Sequence, residues 1–386
     1  MMENMVDVAL KKLNQYCRKS EYKGWDLYDG LNSKLLSVLP VRHSKFVRLG
    51  WIQLIKRSPI NLRRILLVPK GYNPKGLALF ASGLIVQGDI RNAGKLLSLL
   101  DKMSCVKYGR GCWGYNFAWQ ARAFYVPIGT PNLVTTVFVA NAYLDMFEAT
   151  GDNSYLETAR QSCTFILNNL ILREDSNTLV FRYVPNAETV VHNAYMLGAA
   201  LLARTYRYSA DPIYLEKSRK AIANAIRALS PEFSWPYGER FHHQFVDNFH
   251  TGFNLVALNT WSEATQDRTW DTELAGAYDY WRKTFFLQNG CPRYYSNSTY
   301  PIDVHCSAQG IVTCLALRRL NAESINLAKK IAEWTIENMQ STSGAFYYQK
   351  TKWFTNKISY IRWSQAWMFY ALSQLAAAIG GKQRLK

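Results

Sequence analysis

Along most of the chain, apolar helices rich in small residues alternate with amphipathic ones. Three well-matched copies of this pair begin at Phe138, Tyr195 and Phe253, in FVANAYLDMFEATGDNSYLETARQSCTFIL, YMLGAALLARTYRYSADPIYLEKSRKAIANAI and FNLVALNTWSEATQDRTWDTELAGAYDYW. In each copy a short turn containing aspartate separates the two helices, and the second helix opens with an aromatic residue. This repeated pattern predicts a series of helical hairpins.

Short polar side chains mark the turns of these hairpins. Asp152, Asp211 and Asp267 stand in the three clear copies, 59 and 56 residues apart, and weaker copies turn at Asp89 and Asn321. A side-chain oxygen at the start of a helix accepts a hydrogen bond from a backbone N–H that has no partner within the helix. We therefore predict that these five residues are N-caps of the second helix of each hairpin.

The repeat is longer than that of the common two-helix solenoids. The extra residues form long loops before each small-residue helix, at 109–130, 173–188, 230–248, 290–302 and 343–360. Closing six hairpins into a ring buries the end faces that an open array would expose. We predict an all-α fold, an (α/α)6 toroid of helical hairpins with long rim loops over residues 71–386. Residues 1–70 are expected to form a basic N-terminal helical segment packed on or appended to it.

Several stretches carry a resemblance to a known family, among them WGYNFAWQARAF, VPNAETVVHNAYMLGAALLAR, WPYGERFHHQFVDNFHTGFNL and YIRWSQAWMFYAL. With the alternation of inner and outer helices, they resemble the six-hairpin (α/α)6 glycosidase-like superfamily over residues 71–381. More narrowly, they are similar to a branch associated with exopolysaccharide or capsule biosynthesis. The resemblance implies a carbohydrate-active protein. It does not select the reaction, because the superfamily includes hydrolases, lyases, epimerases and proteins without known activity.

The charge of the chain is large and uneven. The net charge is +18, and no acidic residue occurs between Asp29 and Asp89. That stretch holds ten basic residues among apolar ones: Lys34, Arg42, Lys45, Arg48, Lys56, Arg57, Arg63, Arg64, Lys70 and Lys75. Residues 30–88 therefore predict a basic amphipathic surface that contacts an anionic membrane or a polyanion. A solvated basic face on a pair of helices is an equal alternative.

The expected location is the cytoplasm, with association at the inner face of the membrane as an option. Seven scattered cysteines suit a reducing compartment, and the sequence shows neither a membrane-spanning run nor a secretion signal. No nucleic-acid-binding motif is evident. We expect no cofactor, because nucleotide-binding glycine motifs are missing from the sequence. We expect no metal either, because the histidines do not stand at a recognised ligand spacing.

Aromatic, histidine and arginine side chains gather in the loops predicted to line one rim. Aromatic rings stack on sugar rings, and amide and guanidinium groups bind sugar hydroxyls and carboxylates. The predicted substrate-binding residues are Trp113, Tyr115, Trp119, Arg122, Arg182, His192, Asn193, Arg293, Tyr294, His305, Tyr347, Arg362 and Trp363. The alternative for each aromatic residue is that it caps a large core.

Carboxylates are scarce in the predicted rim loops, and glycoside hydrolysis requires two. We predict Glu239 as the general acid, Asp247 as its partner and Asp303 as the residue that positions water. Asp26 and Asp29 of KGWDLYDG are further candidates. For Asp247 and Asp303 an N-cap is the structural alternative, because both precede helices.

The arginines support a competing hypothesis. A guanidinium group that neutralises a uronate carboxylate makes the C5 proton more acidic, so tyrosine and histidine can catalyse epimerisation or β-elimination. The candidate acids and bases are Tyr237, Tyr294, Tyr347 and His250, with Arg122, Arg182, Arg293 and Arg362 as the binding groups. Hydrolysis is slightly favoured, and a non-catalytic glycan-binding scaffold is the third option. In every case the expected partner is an acidic oligo- or polysaccharide, or its lipid-linked precursor.

The site prediction has a geometric form. Each candidate lies in or beside a loop that leads into an inner helix. We therefore expect convergence on one cleft of Glu239, Asp247, His250, Asp303, Tyr347 and Arg362.

Overall fold

The fold was obtained as a computed structural model, which describes residues 2–120 and 125–380. Six helices form an inner ring: α4 (Pro74–Val86), α6 (Leu133–Thr150), α8 (His192–Ser209), α10 (Asn248–Thr265), α12 (Val304–Ala316) and α14 (Trp367–Ile379). Each packs on the next, and α14 packs on α4, so the ring is closed. These helices are buried nearly all round, which is why they are rich in small apolar residues.

Six further helices form an outer layer: α1 (Met2–Lys19), α5 (Ile90–Met103), α7 (Asn153–Asn169), α9 (Pro212–Arg227), α11 (Asp271–Phe285) and α13 (Ser324–Met339). They are amphipathic. In α5, for example, Ala93, Leu96, Leu97 and Leu100 are buried at helical spacing. Helix α1 packs on α14 and α13 and completes the sixth pair. The predicted all-α (α/α)6 toroid is confirmed.

Three of the predicted caps are present on the outer helices. Asp89, Asp152 and Asp211 accept hydrogen bonds from backbone N–H groups in the first turns of α5, α7 and α9. The prediction was wrong for Asp267 and Asn321. Each accepts a backbone N–H two residues ahead and so closes a turn before the helix, which begins four and three residues later, respectively.

The rim loops carry short antiparallel strands. These are β1 (Trp119–Gln120) with β2 (Tyr125–Val126), β3 (Ile171–Glu174) with β4 (Leu179–Phe181), and the sheet of β5 (Ile302–Asp303), β6 (Gln349–Lys350) and β7 (Thr355–Asn356). In the last sheet, β5 pairs with β6 so that Asp303 lies opposite Gln349. This register fixes the entry to α12 relative to the last long loop.

Residues 24–71 lie over the rim at which the inner helices begin. This segment contains α2 (Lys34–Val38) and α3 (Lys45–Arg57). A backbone bridge between Gly24 and Gly71 brings its two ends together, and a bridge between Trp25 and Tyr360 joins it to the loop before α14. The Arg63 side chain is 0% exposed and bonds Asp29 and the Tyr360 hydroxyl. The division of the chain at residue 70 stays a prediction. Among the described residues, no helix is long and apolar enough to span a membrane.

The basic stretch is not a single surface. Arg63 and Lys75 are buried, so these two of the ten cations do not contribute to the predicted basic surface. Lys34, Arg42, Lys45, Arg57, Arg64 and Lys70 are exposed.

Candidate active site

Polar side chains cap the inner helices at the rim beneath the 24–71 segment. Asn73, Asn132, Asp247 and Asp303 each accept a hydrogen bond from a backbone N–H in the first turn of α4, α6, α10 and α12. The N-terminus of a helix also favours negative charge. Neighbouring inner helices therefore bring carboxylates and amides to the mouth of the ring.

Asp247 and His250 form a carboxylate–imidazole pair in the first turn of α10. One oxygen of the buried Asp247 carboxylate accepts the His250 backbone N–H at 2.9 Å, and the other lies 2.7 Å from His250 Nδ1. The Tyr237 ring lies 4.6 Å from the imidazole, centroid to centroid. With hydrogen on Nδ1, the imidazole presents Nε2 as a proton acceptor. This is the arrangement of a general base held by an orienting carboxylate.

Asp303 has a different environment in the first turn of the adjacent helix α12. Its Oδ1 accepts the His305 backbone N–H and the Trp363 indole N–H, both at 2.9 Å. Burial raises the pKa of Asp303 to about 7, an effect that those two hydrogen bonds partly offset. A carboxyl group that retains its proton near neutral pH can act as a general acid.

His305 lies at the centre of the ring among aromatic side chains. It is 1% exposed, and its ring centroid lies 4.7 Å from Phe249, 4.5 Å from Trp363 and 4.8 Å from Trp367. Within the described part of the chain, neither imidazole nitrogen has a hydrogen-bond partner of normal geometry, although the Trp363 backbone is close enough to favour the charged ring. Burial, and then the positive charge of Lys75, lowers its pKa well below the usual value. Buried imidazole nitrogens without partners are costly unless a ligand satisfies them.

Arg362 binds Asp26 through two parallel hydrogen bonds. Its Nε lies 2.7 Å from Oδ2, its Nη2 lies 2.7 Å from Oδ1, and both side chains are buried. A π-helical turn, Ile361–Ala366, leads into α14 and carries Arg362. The guanidinium carbon lies 5.0 Å from the Tyr115 ring and 5.5 Å from the Trp363 ring. Such a fork matches the geometry of a carboxylate.

Lys75 was not predicted as a site residue. It lies in the first turn of α4, buried, with Nζ 4.0 Å from the Phe138 ring and 5.1 Å from the Trp367 ring. Burial, and then the charge of Arg362, lowers its pKa well below the usual value. One signal in the sequence could have indicated it, since Lys75 is the only charged residue of the apolar helix PKGLALFASGLIV.

Half of the predicted residues lie together. Direct contacts connect Asp247, His250, Tyr237, Tyr294, Asp303, His305, Trp363, Arg362 and Tyr115, with Phe249 at the centre of the group. Phe249 and Phe253 were missed because buried phenylalanines cannot be told from core residues by sequence.

Glu239 does not lie with these residues. Its side chain is 38% exposed, and its carboxylate pairs with Arg173 on β3. The expectation that Glu239 converges with Asp247 was therefore wrong.

Three other candidates serve the scaffold. The buried Trp113 indole donates to the Leu100 carbonyl oxygen. Arg182 and Arg293 donate to backbone carbonyl oxygens outside the group. These placements favour the core-capping alternative for Trp113 and do not support a binding role for the two arginines.

The remaining candidates lie outside the group centred on Phe249. Tyr347 faces Lys357, and it is the next residue, Tyr348, that is buried against Tyr360. Neighbouring residues of an extended segment point to opposite sides, so the prediction was off by one position.

Two further candidates lie near the start of α8 and one lies in β1. His192 is buried, and its Nδ1 is 2.8 Å from the Tyr195 hydroxyl; burial lowers its pKa to about 4. Asn193 is buried beside it, and Trp119 packs edge-on against Tyr183. Arg122 lies outside the described residues.

Comparison with known proteins supports the architecture. No protein-family model and no curated protein matches the sequence. Solved structures do match. A protein from Listeria innocua has a TM-score of 0.64 at 12% identity, covering 100% of this chain and 99% of that one. An unsaturated glucuronyl hydrolase specific for heparin gives 0.62 at 11%, with 100% and 99% covered.

A third similar structure is cellobiose 2-epimerase from Bacillus thermoamylovorans, with a TM-score of 0.59 at 12% identity over 78% of this chain and 86% of that one. At such low identities, the likeness shows the fold. The shared fold is the (α/α)6 toroid.

Proposed function

We propose that this protein is a carbohydrate-active enzyme that hydrolyses an acidic oligo- or polysaccharide. One observation carries the proposal: adjacent inner helices present Asp303, whose pKa burial raises to about 7, and Asp247, which is hydrogen-bonded to an imidazole. Two carboxyl groups in contrasting environments are the usual basis for separating acid from base. The similarity to a glucuronyl hydrolase and the net charge of +18 support an acidic substrate.

Each side chain has a defined task in this mechanism. Asp303 donates its proton to the glycosidic oxygen as the bond from that oxygen to the anomeric carbon breaks. Water attacks the anomeric carbon, and His250 Nε2 takes the proton that the water loses. Asp247 stabilises the imidazolium that forms. Solvent then takes the proton from His250 and returns one to Asp303. The exposed Glu239 has no task in this mechanism.

The test is the analysis of products from a panel of uronate-containing oligosaccharides. Hydrolysis releases a new reducing end and incorporates one oxygen from labelled water. The Asp303→Asn variant should lose turnover and retain binding, because asparagine preserves the helix cap. Asp211→Asn, a cap on the outer helix α9, is the matched control. Turnover by Asp303→Asn at the native rate would contradict the assignment.

A uronate C5-epimerase or lyase is the second candidate, and His305 is the observation that favours it. A base removes the C5 proton while Arg362 neutralises the carboxylate; reprotonation on the opposite face inverts the centre, and loss of the C4 substituent gives elimination. His305 and His250 are the imidazoles available for this chemistry. Deuterium incorporation without cleavage would identify epimerisation, and an unsaturated product would identify elimination.

A non-catalytic glycan-binding scaffold is the third candidate. It predicts binding without any of these products. In that case the native protein and the Asp303→Asn variant should bind the same oligosaccharide equally, and neither should change it.

We further propose a cytoplasmic role in polysaccharide biosynthesis, at an anionic membrane surface. The support is that large apolar side chains of the 30–88 segment are exposed, among them Phe46 (82%), Ile65 (70%) and Ile60. Exposed cations, including Arg57 and Arg64, lie among them. Each cation near such a surface contributes about 1 kcal/mol of attraction. A lipid-linked glycan precursor would then be presented to the adjacent rim.

Vesicle co-sedimentation tests this surface. Binding to anionic vesicles is expected at low salt and release at high salt, because exposed charges are screened. Arg42, Arg57 and Arg64 should be replaced by glutamate. Arg63 must be left unchanged, since it is buried with Asp29 and its loss would disturb the fold.

The matched control replaces three exposed cations elsewhere: Lys95, Lys102 and Arg207. Failure of the native protein to bind anionic vesicles at low salt would contradict the proposed membrane association. Binding to a soluble polyanionic glycan in the same assay would instead support a glycan contact, and binding to neither would indicate a solvated face.

A further inference from the structure

Two buried basic side chains, Arg362 and Lys75, lie at the centre of the ring. Among the described residues, Asp26 is the only carboxylate paired with Arg362, and Lys75 has no ion pair. A buried ammonium group without a counter-ion is unfavourable, and burial accordingly lowers the pKa of Lys75. A further negative charge at the centre of the ring would pair with Lys75 and favour its ammonium form.

The carboxylate is supplied by a loop that covers the ring and not by the ring itself. Asp26 lies between the bridges of Gly24 and Trp25 and the 3₁₀ turn Asp29–Asn32. Both Asp26 oxygens are used by Arg362, and Oδ1 also accepts the Tyr28 backbone N–H. A carboxylate from outside the ring thus occupies the fork of an inner-ring arginine.

The walls around the two cations are aromatic. Tyr115, Phe117 and Trp363 lie 5.0, 5.8 and 5.5 Å from the Arg362 guanidinium carbon, and Phe138, Phe253 and Trp367 lie 4.0, 5.2 and 5.1 Å from Lys75 Nζ. Rings of this kind stack on sugar faces. The unpartnered nitrogens of the buried His305 ring, which contacts both Trp363 and Trp367, are an independent sign of a polar ligand.

We propose that Arg362 and Lys75 form the subsite for the carboxylate of an acidic sugar, and that Asp26 occupies this subsite as an internal carboxylate until the sugar displaces it. The inference rests on the proposed function for its substrate class and deepens it. Arg362 supplies the two-pronged hydrogen bond, Lys75 the second charge and His305 a hydrogen bond to a sugar oxygen. The segment that carries Asp26 must move as the ligand enters.

The Asp26→Asn variant tests the displacement, with free glucuronate as the probe in isothermal calorimetry. An internal competitor reduces apparent affinity by the fraction of molecules that it occupies, so its removal should tighten binding by roughly tenfold or more. Glucose, which has the same ring without the carboxylate, should not bind detectably. Asp145→Asn is the matched control, because it removes an arginine partner of the inner ring that lies elsewhere, on Arg204. Affinity for glucuronate no greater than in the native protein would overturn the proposal.

Hydrogen exchange on the native protein provides a test that does not depend on the variant folding. The backbone N–H of Asp26 donates to Asp29, and that of Tyr28 donates to Asp26. Excess glucuronate should accelerate the exchange of the Tyr28 amide, and glucose should not. Unchanged exchange in glucuronate at saturation would overturn the displacement of Asp26.

A third measurement isolates Lys75. The charged groups that act on it are Arg362 and Asp26, and it acts in turn on His305. An arriving carboxylate favours the ammonium form of Lys75. The Lys75→Met variant keeps the apolar stem and removes that charge, so it should bind glucuronate more weakly than the native protein in the same calorimetric assay. Equal affinity in the two proteins would remove Lys75 from the subsite.

The results separate this subsite from the hydrolase proposal. Tight glucuronate binding without turnover of any glycan would support the carboxylate subsite and contradict the proposed hydrolase activity. Cleavage of neutral glycans without affinity for glucuronate would contradict the subsite and leave the proposed roles of Asp303 and His250 unchanged.

Discussion

Two aspartates cap helices in the same way, one on an inner helix and one on an outer helix, but their pKa values shift in opposite directions. Asp303 on α12 and Asp152 on α7 each accept a backbone N–H two residues ahead, at 2.9 Å. Burial raises the pKa of Asp303 to about 7, whereas the backbone hydrogen bond from Ser154 lowers the pKa of Asp152. The cap favours the charged carboxylate at both sites. The difference is burial, which removes Asp303 from water and favours its protonated form.

The largest effect expected from this contrast is on catalysis. Asp303→Asn keeps the α12 cap and removes the proton, so turnover should fall by about 10²–10⁴, the usual contribution of a general acid. Circular dichroism should be unchanged. The measurement is the initial rate on the best uronate-containing oligosaccharide, with Asp211→Asn as the control. A comparable loss in the control would show that capping and not proton transfer is responsible.

The same carboxyl group predicts the pH dependence of the rate. In the proposed mechanism the acid form of Asp303 is the active one, so turnover should decline as pH rises above about 7. A rate that stays level through pH 7 and falls only in strong alkali would exclude Asp303 as the acid.

The next largest effect is expected on the pH dependence of the free energy of unfolding. Because the pKa of Asp303 is raised in the folded state, the unfolded state loses this proton first as pH rises from about 4 to about 7. The native protein should therefore lose up to about 1.4 kcal/mol of unfolding free energy per pH unit in that window, and no more above it. Urea denaturation of native protein and Asp303→Asn at several pH values measures this. The difference between them should grow in favour of the variant between pH 4 and pH 7, and a constant difference would contradict the raised pKa.

Outer caps should affect stability alone. Asp211→Ala leaves a backbone N–H of α9 without its partner and should cost about 1 kcal/mol. Thermal unfolding measures the loss, and Asp211→Asn should recover most of it. Activity should not change in either variant, and a change would mean that the two rims are coupled.

The smallest effect is expected at an exposed ion pair between outer helices. Arg18 on α1 lies 2.7 Å from Asp89, and the two side chains are 47% and 30% exposed. Arg18→Ala should cost at most about 1 kcal/mol, and the cost should shrink as salt is added. A salt-independent loss would indicate that Arg18 contributes through packing.

The fold could be predicted because its determinants are local. The same unit recurs at a regular spacing: a helix of small apolar residues, a polar turn and an amphipathic helix. Each unit buries its apolar face only by packing on the next unit. The predicted caps at Asp267 and Asn321 were displaced because a turn and a helix start use the same side-chain chemistry. Sequence does not reveal which of them the backbone adopts.

The site could be predicted only in part because burial is a property of the whole ring. The grouping of Asp247, Asp303 and Arg362 followed from their positions before inner helices. Glu239 had the same kind of position, but its carboxylate pairs with the exposed Arg173. Lys75 was missed because it stands at the end of a basic stretch that favours solvent, although it is the only charged residue of its apolar helix.

The pairing of α1 with α14 has a consequence for how the ring forms during synthesis. The Gln340 side chain donates to the Ala9 carbonyl oxygen across 331 positions, and α1 packs on a helix that begins at Trp367. A ribosome therefore releases α1 long before its partner exists. The apolar face of α1 therefore stays unburied while the five hairpins that follow it are synthesised and assemble. Closure of the ring is then the last folding event, and a chaperone that shields the Val6, Leu10 and Leu13 face would protect the nascent chain during this interval.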